Sequence, residues 1–158
     1  MIDWGKLYEL ALQVLAAGIG SFGFSVLFNI RGKKLFADAL GGAFAWACYL
    51  IFSALGLGEA MSYFLVALFV SLYAEVMARH LKAPVTIFVA PSLIPLVPGS
   101  ALYYTMAYAL GGNTMQFLEK AGSALSIASA LAGGIIVSAV FVRLLFKLRN
   151  IKFEGKMQ

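Results

Sequence analysis

Long apolar runs separated by short polar clusters organise this chain. Four runs, at roughly 10–30, 35–56, 60–78 and 122–146, are each long and apolar enough for a helix to cross a bilayer. A fifth apolar region, 83–112, contains the stretch PSLIPLVPGS at 91–100. As one helix those thirty residues would extend about 45 Å, against a hydrocarbon core of about 30 Å. Proline also removes a backbone donor and disrupts a helix interior. The pattern therefore predicts two half-helices, 84–95 and 100–111, joined by a non-helical LVPG. The expected fold is an all-α integral membrane protein, residues 1–158 forming a single transmembrane domain. It has about five transmembrane helices, the fourth (83–112) broken at the Pro91–Gly99 segment.

Charge assigns sides to these spans. Arg31, Lys33 and Lys34 lie between the first two runs, and Arg79, His80 and Lys82 follow the third. Arg143, Lys147, Arg149, Lys152 and Lys156 close the chain. The excess of Lys and Arg in cytoplasmic loops then predicts the N-terminus outside and the C-terminus cytoplasmic. Residues 83–112 must then cross an odd number of times, most simply once, with the polar GNTMQFLEK turn outside. The start, MIDWGKLYEL, lacks a basic n-region and a clear cleavage site, so it reads as a mature N-terminus.

Composition agrees with lipid as the solvent: 62% of residues are hydrophobic, 12% are charged and the mean hydropathy is +0.91. The net charge of +5 is spread between apolar runs, so no nucleic-acid surface is expected. With one cysteine (Cys48) and one histidine (His80), no intrachain disulfide, metal site or cofactor is expected. No nucleophile elbow or phosphate-binding loop occurs, so the chain does not read as an enzyme.

Small residues recur at helical spacing: Ala17, Ser21 and Ser25; Gly41 and Ala45, with Gly42; Ser123, Ser126 and Ser129; Gly133 and Gly134. Such rows let helices approach closely in lipid. The serine row at 123–129 has a second reading, as the lining of a polar path. Within the apolar runs, Asp38 and Glu75 are coupling or ion-pair candidates. Glu75 precedes Arg79 by four residues and Asp38 follows Lys34 by four. Interfacial pairs and a part in ion movement both suit that spacing.

The break itself suggests a ligand site. A half-helix starting at Gly99 or Ser100 would turn free backbone N–H groups and a positive dipole end toward it, which suits a carboxylate. Pro98, Gly99, Ser100 (a candidate N-cap), Tyr103 and Tyr104 are the substrate-binding candidates, and Pro91 and Pro95 help make the break. Alternatively, the prolines only bend a packing helix, with the tyrosines as interface anchors.

YAEVMARHLKAPVTIFVAPSLIPLVPGSALYYTM, residues 73–106, resembles the hallmark region of the threonine/serine exporter (ThrE-like) family, in its second, smaller membrane half. FSVLFNIRGKKLFADALGGAFAWACYL, residues 24–50, is similar to that family's first hairpin. The resemblance implies a multi-pass protein of the cell (inner) membrane that exports threonine and serine, or dicarboxylates such as succinate; the leading expectation adds that the proton gradient drives it. It implies one subunit of a two-component exporter whose second membrane subunit supplies the other half. It marks Glu75, Arg79, Pro91, Pro95, Pro98, Gly99 and Tyr103 as positions that matter. The alternatives are a non-transporting assembly subunit and a channel-like homo-oligomer.

Overall fold

The computed structural model describes residues 4–154, which form helices and turns. In chain order these are α1 (Trp4–Leu27), α2 (Lys33–Ala54), α3 (Glu59–His80), α4 (Thr86–Leu93) with a 3-10 turn at Ile94–Leu96, α5 (Gly99–Leu110) and α6 (Thr114–Glu154). Four of them, α1, α2, α3 and α6, are long and apolar enough to cross a membrane. The α4 and α5 segments, bent by 59° at the break, are long and apolar enough to cross only when taken together, which makes four to five spans. Large apolar side chains such as Leu15, Ile19, Leu40, Ile51, Leu125 and Ile136 point outward, as a bilayer requires of a bundle's perimeter.

The ends of the helices are set locally. Gly56 and Gly112, at φ +75° and +70°, close α2 and α5 in a left-handed conformation that glycine adopts without steric penalty. The following N–H groups then fold back: Leu57 donates to Phe52 at 3.3 Å and Asn113 to Tyr108 at 3.0 Å. Asn113 next starts α6, its side-chain oxygen accepting from the Gln116 N–H at 3.2 Å. This cap is why the expected polar turn GNTMQFLEK is helical from Thr114 onward, leaving only Gly111–Asn113 between helices.

Small residues bring the helices together. Ala17, Ser21 and Ser25 form the buried stripe of α1, and Gly42 of α2 lies so close that a Cβ there would collide with the Ser21 hydroxyl. On the next face of α2, a Cβ at Gly41 would collide with the Ser92 hydroxyl of α4 and stand 3.1 Å from the Tyr73 ring of α3. Gly134 packs α6 onto the backbone of α3 at Phe64 and Leu68. Ser123 and Ile127 lie beside the start of α3, at Glu59 and Tyr63. Both contacts run in the same sense along the two helices, so α3 and α6 are parallel, and the first turns of α6 extend past the start of α3. The serine row divides: Ser126 and Ser129 are exposed, and Ser129 donates back to the Ser126 carbonyl at 2.9 Å. The buried face of α6 is instead Ala124, Ile127, Gly134 and Ser138.

Two apolar clusters fill the bundle. One joins Ala45, Tyr63, Val66, Ala67, Val70, Leu93, Leu96 and Ile127. In the other, Phe88 of α4 fills the space left by Ala37, Ala74 and Ala78.

Candidate functional site

The broken span is more helical than its prolines suggest. Pro91 sits inside α4 and is fully buried, and Pro95 lies in the first turn of the 3-10 segment, where a missing N–H costs nothing. The helix is lost only at Val97, which is extended, and at Pro98, with φ −73° and ψ 57°. Pro98, not Ser100, occupies the N-cap of α5. Ser100 is exposed one residue inside the helix, because Gly99 already enters α5. No side chain caps this end; the Gly99 N–H donates back to the Val97 carbonyl at 2.7 Å and Leu102 to Pro98 at 3.0 Å, which leaves the N–H groups of Ser100 and Ala101 as the ones a helix start offers to a ligand. A Cβ on Gly99 would meet nothing within 4 Å.

The break opens on a cavity of about 470 Å³, lined on the break side by Pro95, Val97, Pro98, Ser100, Ala101 and Tyr104. Trp46, Glu59, Tyr63, Lys120, Ser123 and Ile127 complete the wall. Tyr103 lies outside this lining and is 68% exposed, its ring packed edge-on against Tyr104 at 5.4 Å.

A second polar centre surrounds Asp38 of α2, one turn from the Gly41 that Ser92 of α4 rests on. Asp38 is fully buried on the α2 face that also carries Ala37, Gly41, Gly42 and Ala45. It makes no ion pair with Lys34; its partner is Ser25 of α1, whose hydroxyl stands 2.7 Å from Asp38 Oδ2. That face turns into the bundle, away from the loop cations, so the predicted interfacial pair does not form. The Ser25 hydroxyl also stands 2.9 Å from the Ser21 carbonyl. Tyr73 of α3 donates to the Ala37 carbonyl at 2.8 Å, fixing α3 against α2 beside Asp38. Asp38 Oδ1, the Ser21 hydroxyl and the Ser92 hydroxyl are buried and find no hydrogen-bond partner among the described residues.

Glu75 and Arg79 stand apart from both centres. Arg79 Nη2 donates to Glu75 Oε2 at 3.1 Å, with the side chains 47% and 22% exposed respectively. A pair this open contributes about 0–1 kcal/mol. Glu75→Gln is therefore expected to change stability by less than about 1 kcal/mol, measured as thermal unfolding in detergent. Among the described residues no group of three or more His, Cys, Asp or Glu side chains is placed to hold a metal ion.

Sequence reasoning weighed Asp38 without its partners. Ser21 and Ser25 read there only as packing residues. Ser92 and Tyr73 lay within the hallmark stretch but drew no separate attention. Each of these residues meets its neighbours only through helix packing.

An apolar helical bundle with a broken span and a buried carboxyl beside that span defines a multi-pass membrane protein built on a transporter's plan. Residues 13–141 match the family described as Threonine/Serine exporter, ThrE. The chain belongs to that exporter family. No solved structure matches it.

Proposed function

We propose that the chain is a subunit of a secondary exporter that moves small carboxylate metabolites outward in exchange for protons. Threonine and serine are the first candidates and dicarboxylates such as succinate the alternative. The chain would act with a second membrane subunit of the same family in the cell (inner) membrane. Lys and Arg clustered at 31–34, 79–82 and 143–156 support an outside N-terminus and a cytoplasmic C-terminus.

One observation carries the coupling. Ser25 has one hydroxyl proton and stands within reach of two acceptors, Asp38 Oδ2 and the Ser21 carbonyl. With Asp38 ionised, Ser25 donates to the carboxylate. With Asp38 protonated, the carboxyl donates to Ser25 and Ser25 donates to Ser21. Both states keep this bond made, which favours a carboxyl that exchanges its proton during a cycle. A buried carboxyl with only one fixed bonding state would instead favour a structural role.

The substrate would bind at the break, with Pro98, Gly99, Ser100 and Tyr104 around its carboxylate and Tyr103 nearby on the same helix. Discontinuous helices serve transporters in this way, because a half-helix N-terminus faces anionic substrate groups. Ser92 lies against Gly41, one turn from Asp38 on α2. That contact supplies a route by which the charge on Asp38 alters the seating of the broken helix.

Everted membrane vesicles from cells expressing the chain together with a second membrane subunit of the family, energised to an acidic interior, are expected to accumulate labelled serine. An uncoupler should abolish the accumulation. Uptake that ignores the uncoupler overturns proton coupling, and uptake no greater than in vesicles lacking the chain overturns the transport reading.

A further inference from the structure

The cavity at the break contains an acid and a base that do not meet. Glu59 comes from the first turn of α3 and Lys120 from the early turns of α6, and both line the same wall of about 470 Å³ volume. Among the described residues no ion pair joins them; the carboxylate near Lys120 is Glu119, at 3.7 Å on the exposed side. Opposite charges that line one cavity without pairing match a ligand that carries both charges at once.

The aromatic residues strengthen this reading. Trp46, Tyr63 and Tyr104 share the lining with Glu59, and aromatic faces attract cations. Trp46 and Tyr63 are held in place through Tyr49, whose ring lies 5.3 Å from the first and 5.0 Å from the second. The Trp46 indole N–H is committed to Gln13 at 3.1 Å, so its contribution to a ligand is its ring surface. Glu59 also complements the dipole of α3, but that accounts for neither the aromatic residues beside it nor the cation across the cavity.

We infer that Glu59 and Lys120 are the specificity-determining pair of a subsite for a zwitterionic α-amino acid. Glu59, with the aromatic rings, receives the ammonium group. Lys120, with the Ser100 and Ser123 hydroxyls, receives the carboxylate. A dicarboxylate placed the same way brings its second carboxylate against Glu59, so the pair selects amino acids over diacids. The inference rests on the export reading above and chooses between its two substrate classes.

Equilibrium binding tests it without any gradient. The chain has two tryptophans, and Trp4 is 75% exposed at the start of α1, so Trp4→Phe leaves Trp46 as the sole reporter inside the cavity. In nanodiscs carrying the full chain, serine is expected to shift the Trp46 emission saturably, and succinate is not. Glu59→Gln should weaken serine binding about tenfold, the loss of one charged contact. Glu59→Lys should admit succinate. Glu59 is exposed, so neither change disturbs packing. Unchanged emission with serine, or Glu59→Gln binding serine as tightly as the parent, overturns the subsite. Serine binding by a chain whose vesicles move none overturns the export reading and leaves the subsite standing.

Discussion

Gly134→Val is expected to insert into membranes and yet lose the contact between α3 and α6. A Cβ at this position would collide with the Phe64 carbonyl oxygen, and it would stand 2.8 Å from Ala67 Cβ and 3.0 Å from the Leu68 nitrogen. Two of those three obstacles are backbone atoms, which cannot rotate away as a side-chain end can. The helices must separate, and they do so along the parallel contact that also holds Ile127 against the Tyr63 cluster. Overpacking a well-filled core costs about 1–3 kcal/mol, and a β-branched residue pressed on backbone belongs at or above the upper end. Neighbouring Gly133 supplies the control. A Cβ there would rest 3.5 Å from the Phe64 ring, an ordinary contact, so Gly133→Ala should change stability by less than about 1 kcal/mol. Thermal unfolding in mild detergent, followed by loss of the monodisperse elution peak, measures both variants. A Gly134→Val chain as stable as the parent would mean that α6 does not pack on α3 through this glycine.

The broken span links the two polar centres. Pro95, Pro98 and Ser100 line the cavity, while Ser92, one turn earlier, rests on Gly41 beside Asp38. In the proposed cycle, a proton gained or lost at Asp38 would act on the same short helix that borders the proposed substrate. Coupling between ion and substrate needs such a shared element with two arrangements. A single turn of helix separates Ser92 from Pro95.

Much of this bundle was legible from hydropathy and charge, because lipid demands long apolar helices and tolerates broken backbone only where protein or a wet cavity covers it. The break was legible for the same reason, although proline content overstated its length: Pro91 and Pro95 fit into helical turns and only Pro98 lies at the irregular point. The site was much less legible. Ser25 meets Asp38 across a hairpin, Ser92 meets Gly41 from a helix far along the chain, and Glu59 shares a cavity with Lys120 from the N-terminal ends of two helices distant in sequence. Such meetings depend on how each helix is rotated. A span that is apolar on every side gives no periodic signal of that rotation, and only the small-residue stripes of α1 and α2 marked their buried faces in advance.

Asp38→Asn is expected to separate proton coupling from substrate movement. Asparagine keeps the shape of the carboxyl, and its amide oxygen accepts from Ser25 as Asp38 Oδ2 does at 2.7 Å. Its amide nitrogen takes the place of the unpartnered Oδ1. The fold should survive, with stability within about 1 kcal/mol of the parent, the net worth of one such bond. What asparagine cannot do is release or bind a proton. Serine accumulation driven by an imposed pH gradient should therefore fall to the level of vesicles lacking the chain. Exchange of labelled for unlabelled serine across the same membrane moves no net proton, and it should persist. A purely structural role for Asp38 predicts a different pair of results: both fluxes fall together, in step with the amount of folded protein. Driven accumulation at the parent rate in Asp38→Asn would remove Asp38 from the coupling step. Attention would then pass to Glu75, the other carboxylate within the apolar runs, which pairs with Arg79 at 3.1 Å.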